Sequence, residues 1–229
     1  MGALAARLRH ALGAAADPAR ARGMQAYMKS AMPYLGVPTT PLRAACRNVF
    51  AGLEFATSEE WQAQVLAIWR GAEFREERYA AIELTGIRAA RAFQRTDALA
   101  MYEEMIVTGA WWDYTDSIVG GRFLTILRAE PARMTRLMLE WAVDTDMWKR
   151  RSAIICQLGA KAETDLDLLE AAIVPSLGSK EFFLRKAIGW ALRQYARTDP
   201  AWVARYVAVH ETELSPLSRR EALKHIAAE

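Results

Sequence analysis

The strongest constraint on the fold is a spacing. Three segments, RRSAIICQL from 150, RKAIGWALR from 185 and REALKHIAA from 220, align with their leading arginines 35 residues apart. One more step back from Arg150 reaches Thr115, inside WWDYTDSIVGG (111–121), and another reaches Ala80, inside RYAAIELT. A period of this length marks an array of supersecondary units, each burying its apolar face on the next. Ala, Leu, Arg, Glu and Met dominate, and Val/Thr runs with strand alternation are absent, so the unit is helical. Five helices in one phase, with a second helix between successive members, make an all-α, HEAT-like α-hairpin repeat solenoid. The 229 residues, 52% hydrophobic, can bury a core of that kind. No Gly/Ser-rich linker divides them, so the expectation is a single repeat domain over 1–229.

Helix boundaries are legible in places. Asp17-Pro18, Asp199-Pro200 and Ser215-Pro216 each offer a capping side chain followed by proline at the first helical position. Thr57-Ser-Glu-Glu60 reads as a capping box ahead of Trp61. Leu4, Leu8 and Leu12 fall on one face of an amphipathic first helix, and Arg7, Arg9 and His10 interrupt any signal-peptide core. Pro33, Gly36, Pro38 and Pro41 mark one substantial loop.

Several function classes drop out. His10, His210 and His225 are far apart, and Cys46 and Cys156 form no C-x-x-C, so no zinc spacing is present and no metal or cofactor is expected. There is no phosphate-binding glycine loop and no Ser-His-Asp set in credible context. No apolar run reaches the roughly 18 residues of a membrane span. Two unpaired cysteines suit a reducing cytoplasm. The net charge of +3 does not by itself imply nucleic acid.

The shared phase singles out one group of residues. One position after each register residue stand Asp116, Arg151, Lys186 and Glu221, so these line one surface of the stack. Trp112 precedes Asp116 by four residues and Trp190 follows Lys186 by four, which places both rings on that surface. Core packing is the ordinary use of a tryptophan, and an inter-repeat salt bridge is the ordinary use of Asp116 with Arg151. A face that also bears charge is nevertheless a poor candidate for dry core, because unpaired buried charge is costly. Gly120 and Gly121 each cost about 1 kcal/mol in a helix interior, and close helix packing is the expected reason.

YMKSAMPYLGVPTTPLR (27–43), WWDYTDSIVGG (111–121), WKRRSAIICQL (148–158) and FFLRKAIGWALRQYARTDPAWVARYV (182–207) resemble the AlkD-type DNA alkylation-repair glycosylases over about residues 20–226. The resemblance implies removal of cationic N3- and N7-alkylated purines from double-stranded DNA, without a cofactor and without base flipping. It makes Trp112 and Trp190 the active-site aromatics and Asp116 the catalytic carboxylate. It puts Arg151 on the DNA backbone near the lesion and Tyr27 at the DNA interface. Arg43, Arg47, Arg122, Arg150 and Arg193 are candidates for phosphate contacts, and Lys186 joins them from the register alone.

The chemistry agrees with these residue types. An alkylated purinium leaves without protonation, which fits the lack of histidine. The developing deoxyribose cation needs negative charge, from Asp116, and aromatic faces, from Trp112 and Trp190, at about 0.5–2 kcal/mol per contact. No lysine is placed as a Schiff-base nucleophile, so the expectation is a monofunctional, monomeric base-excision enzyme in the cytoplasm, nucleoid-associated when bound to DNA. Two other readings stand beside it. One is a self-resistance glycosylase for bulky natural-product N3-adenine adducts, as in some relatives encoded at high GC. The other is a HEAT-like DNA-binding module without catalysis.

Overall fold

The computed structural model describes residues 2–226, in which fourteen α-helices, short 3-10 turns and one π turn account for the regular structure and no strand occurs. No described helix is long and apolar enough to cross a membrane. The chain forms two compact units that divide between Gln94 and Arg95.

The first unit holds α1 (Ala3–Ala14), α2 (Pro18–Met28), α3 (Thr39–Val49), α4 (Ser58–Arg70) and α5 (Arg75–Thr85). Leu8 and Leu12 of α1 are fully buried, as the apolar stripe requires. Asp17 caps α2 through the amides of Ala19 and Arg20, with Pro18 at the first helical position. Thr57 accepts from the Glu60 amide, while the Glu60 carboxylate reaches back to the amide of Ala56. The proline-rich loop is shorter than expected. It ends at Pro38, because Pro41 lies within the first turn of α3, where its missing N–H leaves no bond unmade. The loop is fixed by a residue the sequence did not single out. The Glu76 carboxylate, fully buried, accepts from the amides of Leu35 (3.0 Å), Gly36 (2.8 Å) and Val37 (3.0 Å). Gly36 has φ +84°, and a side chain there would collide with the Asp17 carbonyl.

The second unit continues with α6 (Leu99–Gly109), α7 (Trp112–Ile118), α8 (Leu124–Ala129), α9 (Pro131–Ala142), α10 (Met147–Ile155), α11 (Leu166–Ile173), α12 (Phe182–Tyr195), α13 (Pro200–Val209) and α14 (Pro216–Ala222). The 35-residue phase is real. Ala80, Thr115, Arg150, Arg185 and Arg220 fall on α5, α7, α10, α12 and α14. Within the second unit α7 packs on α10, α10 on α12, and α12 on α14, with α11 and α13 as the intervening hairpin partners. Between α7 and α10 the partner is composite. The chain passes from α7 through a π turn, Val119–Phe123, into α8 and then α9.

That π turn corrects the expectation for Gly120 and Gly121. Both are exposed, and a Cβ added to either would meet nothing within 4 Å, so they mediate no close packing. They sit instead where the helix widens by one residue, a distortion that glycine eases. The glycine that does permit close approach is Gly189 in α12. A Cβ there would lie 2.6 Å from the Glu221 Cβ and 3.0 Å from the Ser218 carbonyl oxygen, so α14 can seat on α12 only because residue 189 has no side chain.

Candidate active site on the second unit

Asp116 lies on the last full turn of α7 and Arg151 at mid-length of α10, and the packing of these helices brings the two together. The contact is bidentate. Arg151 Nε donates to Asp116 Oδ1 and Nη2 to Oδ2, each at 2.8 Å, while Nη1 donates to the Phe183 carbonyl of α12 at 2.6 Å. One guanidinium therefore ties three successive register helices. The Arg151 side chain is 5% exposed and that of Asp116 16%. Burial pushes the Asp116 carboxyl above its ordinary range, and nearby Asp113 adds to this. The hydrogen bonds and charge of Arg151 act in the opposite direction.

Local structure explains how the pair is aimed. Asp146 caps α10 through the amides of Trp148 (2.8 Å) and Lys149 (3.0 Å), which fixes the start of the helix one turn before Arg151. Lys149 bonds Asp144 (2.5 Å) and Glu103 (2.8 Å), with its ammonium 5.4 Å from the Trp141 ring centre. Trp148 packs on Phe183 with ring centres 5.1 Å apart, and Trp111 closes the cluster at 5.5 Å from Phe183 and 6.3 Å from Trp148. These rings have the ordinary role of core tryptophans. Trp111 Nε1 is buried without a hydrogen-bond partner.

Trp112 and Trp190 stand apart from that cluster. Both are half-buried, and neither is in ring contact with another aromatic among the described residues. Their faces are thus not consumed by aromatic packing, unlike those of Trp111 and Trp148. Trp112 sits one turn before Asp116, and Trp190 one turn beyond Lys186.

The other expected cations divide by what they touch. Lys186 and Arg193 both bond Glu221, Lys186 at 3.0 Å, and the two cations hold that carboxyl below its ordinary range. Arg150 is spent on Ser176 Oγ (3.0 Å) and the Pro175 carbonyl (3.1 Å). Arg122 reaches the Ser117 carbonyl at 3.5 Å. In the first unit Arg43 pairs with Glu83 at 3.0 Å but stays 58% exposed, Arg47 is exposed, and Tyr27 is 78% exposed. The expectation that Arg151 holds phosphate meets a buried guanidinium already engaged on two sides. Its geometry suits it to hold Asp116 and leaves it little reach toward solvent.

A cavity of about 340 Å³ lies between the C-terminal parts of α10 and α12, floored by Leu169 of α11. Asp116, Arg151, Trp112 and Trp190 are not among its walls. No group of three or more His, Cys, Asp or Glu side chains able to hold a metal occurs among the described residues.

Comparison with known proteins agrees with this architecture. No curated protein matches the chain. A solved structure from Enterococcus faecalis, described as a predicted DNA alkylation repair enzyme, superposes with a TM-score of 0.84 at 30% identity, covering 93% of this chain and 98% of the other. The family model for DNA alkylation repair enzymes matches residues 8–226, nearly the whole sequence, and the chain belongs to that family.

Proposed function

We propose that the protein is a monofunctional DNA glycosylase that hydrolyses the N-glycosidic bond of N3- or N7-alkylated purines in duplex DNA. Membership of the repair family gives the substrate class its footing. The observation that carries the reading is the largely buried Asp116 carboxylate, fixed by Nε and Nη2 of Arg151, with Trp112 one turn before it in α7.

The alkylated base is already a cationic leaving group, so no proton need be delivered to it. As the C1′–N bond lengthens, positive charge moves onto the deoxyribose. A preorganised carboxylate in a partly dry site stabilises that charge far more than one in water. Asp116 supplies it and orients the water that adds to C1′. Trp112 and Trp190 add quadrupole attraction for the same cation. Arg151 acts as a positioning residue. Its hydrogen bonds and charge lower the carboxyl's affinity for a proton, against the burial that raises it, and they lock its rotamer. In this reading, drawn from the family resemblance, the lesion stays in the duplex while its sugar is attacked. Exposed Tyr27, Arg43 and Arg47 would meet the DNA from the first unit.

One observation favours a second reading, a DNA-binding module without catalysis. The Asp116–Arg151 pair is one of several ion pairs spaced 35 residues apart, with Arg95–Glu130, Arg128–Glu163 and Lys186–Glu221, so it also serves the repeat architecture. Release of free 3-methyladenine and 7-methylguanine from methylated duplex DNA separates the two. Wild type should release base, and Asp116→Asn, assayed below its own melting temperature, should lose most of that activity while still binding DNA. Undiminished release by the variant would remove Asp116 from the chemistry.

A further inference from the structure

The cavity between α10 and α12 has a composition the site above does not use. Ile154, Leu158, Leu169 and Ala191 give it an apolar floor. Lys161 and Arg197 stand in its wall, both exposed, and neither pairs with a carboxylate among the described residues. No Asp or Glu lines it. This contrasts with Lys149, Arg151, Lys186 and Arg193 of the same unit, each matched to an acid. The Gln194 side chain, also in the wall, has no hydrogen-bond partner among the described residues and offers a donor and an acceptor to a ligand edge.

The wall is also rigid. The Gln157 amide ties the loop after α10, donating to the Asp165 carbonyl at 2.9 Å and accepting from the Asp165 amide at 2.8 Å. Gly159 at φ +88° and Lys161 at φ +55° set the path of that loop, and the left-handed backbone of Lys161 is uncommon outside glycine. Lys161 is therefore presented from a fixed loop.

We propose that this cavity binds one nucleotide unit, with its heterocycle on the apolar floor and its phosphate between Lys161 and Arg197. The volume is at the low end for small-ligand sites, about 300–1,000 Å³, which suits a single nucleotide and excludes a duplex. The two cations have no acid to satisfy them internally, and phosphate satisfies both. Gln194 matches a base edge. The source of the unit is either a free nucleotide or a nucleotide of a DNA strand. Arg197 lies two residues past the end of α12 and seven residues after Trp190 in the chain. The proposal itself needs no chemistry at Asp116.

The test is calorimetric titration of the intact protein with 2′-deoxyadenosine 5′-monophosphate, with inorganic phosphate as comparison. Saturable binding at about 1 mM or tighter is expected, with inorganic phosphate at least about tenfold weaker. Two variants act independently. The exposed pair Lys161→Glu with Arg197→Glu removes the charge, and Ala191→Leu fills the floor; each should weaken binding at least about tenfold. Displacement of the mononucleotide by an unmodified duplex identifies a strand as the source, and its retention identifies the free nucleotide. Absence of saturable binding overturns the proposal, as does equal affinity in the Lys161→Glu/Arg197→Glu protein. Loss of activity on methylated DNA with nucleotide binding intact, as in Asp116→Asn, bears on the glycosylase reading alone.

Discussion

Replacing Arg151 by Met gives the sharpest test of how the site is held. The substitution keeps the apolar length of the side chain but strands a carboxylate that is 16% exposed and loses both of its 2.8 Å partners. Removing one member of a buried pair costs about 3–5 kcal/mol, because the other is left charged in a poor solvent. For a chain of this size about 1 kcal/mol moves the melting temperature by roughly 2–4 °C, so the expected fall is about 6–20 °C. Arg128→Ala is the internal control. It breaks a pair with the same 35-residue spacing but with both members more than half exposed, worth at most about 1 kcal/mol. The double variant Asp116→Leu/Arg151→Met should recover much of the loss, since an apolar pair leaves no charge behind.

The same substitution has a signed effect on pH dependence. In the wild type burial raises the Asp116 carboxyl and Arg151 counteracts it. A carboxyl with a raised folded pKa stabilises the fold most when protonated. Its contribution declines as pH rises from the unfolded value, about 3.9, to the folded one, and stays at the lower level beyond. Arg151→Met extends that window upward. Catalysis needs the ionised form, so the acid limb of kcat/KM should sit above the ordinary carboxylate range and move to still higher pH in the variant. Melting curves and pH–rate profiles read both effects. A melting shift no larger than that of Arg128→Ala, with an unmoved acid limb, would refute the claim that Arg151 holds Asp116.

The glycines give a paired prediction by thermal melting. Gly189→Ala should destabilise by about 1–3 kcal/mol through overpacking against Glu221 and Ser218, whereas Gly120→Ala should leave stability unchanged or raise it by up to about 1 kcal/mol. Cys46 and Cys156 are buried thiols pushed up to about 12, so alkylation by iodoacetamide at pH 8 should be negligible until the protein unfolds. Labelling in the native state at the rate of a free thiol would contradict that burial. DNA affinity should fall with salt, and Arg47→Ala should reduce the slope of log K against log salt by about 1. Arg150→Ala should leave that slope alone, because its guanidinium is committed to Ser176 and Pro175.

Much of this was open to reading before any coordinates, and the reasons are local. A proline after Asp17, Asp199 or Ser215 has few uses besides starting a helix, and all three do so. Repetition made the 35-residue phase visible, and stacking equal units turned phase into position. What failed to show needed a neighbour's identity. Gly120 and Gly189 look alike in sequence, each a glycine inside a helix, yet one faces open space and the other a helix about 30 residues on. Glu76 carries no sequence mark, because its three partners are backbone amides that any residue would offer.

Arg151 shows most clearly where phase stops being sufficient. The register places Asp116 and Arg151 on one surface, which is equally consistent with two groups facing a ligand and with two groups facing each other. Distance and burial separate these. At 5% exposure and with two nitrogens on one carboxylate, Arg151 has little left for phosphate. The two roles then stop being rivals. An ion pair that only joined repeats could sit at the surface, as Arg128 and Glu163 do. One that fixes a catalytic anion has to be dry enough for the charge to act strongly and paired enough for the carboxyl to stay ionised. Of the four pairs at this spacing among the described residues, Asp116–Arg151 is the most deeply buried. The repeat supplies the geometry for an ion pair at every step, and burial at this step converts a structural tie into a poised charge.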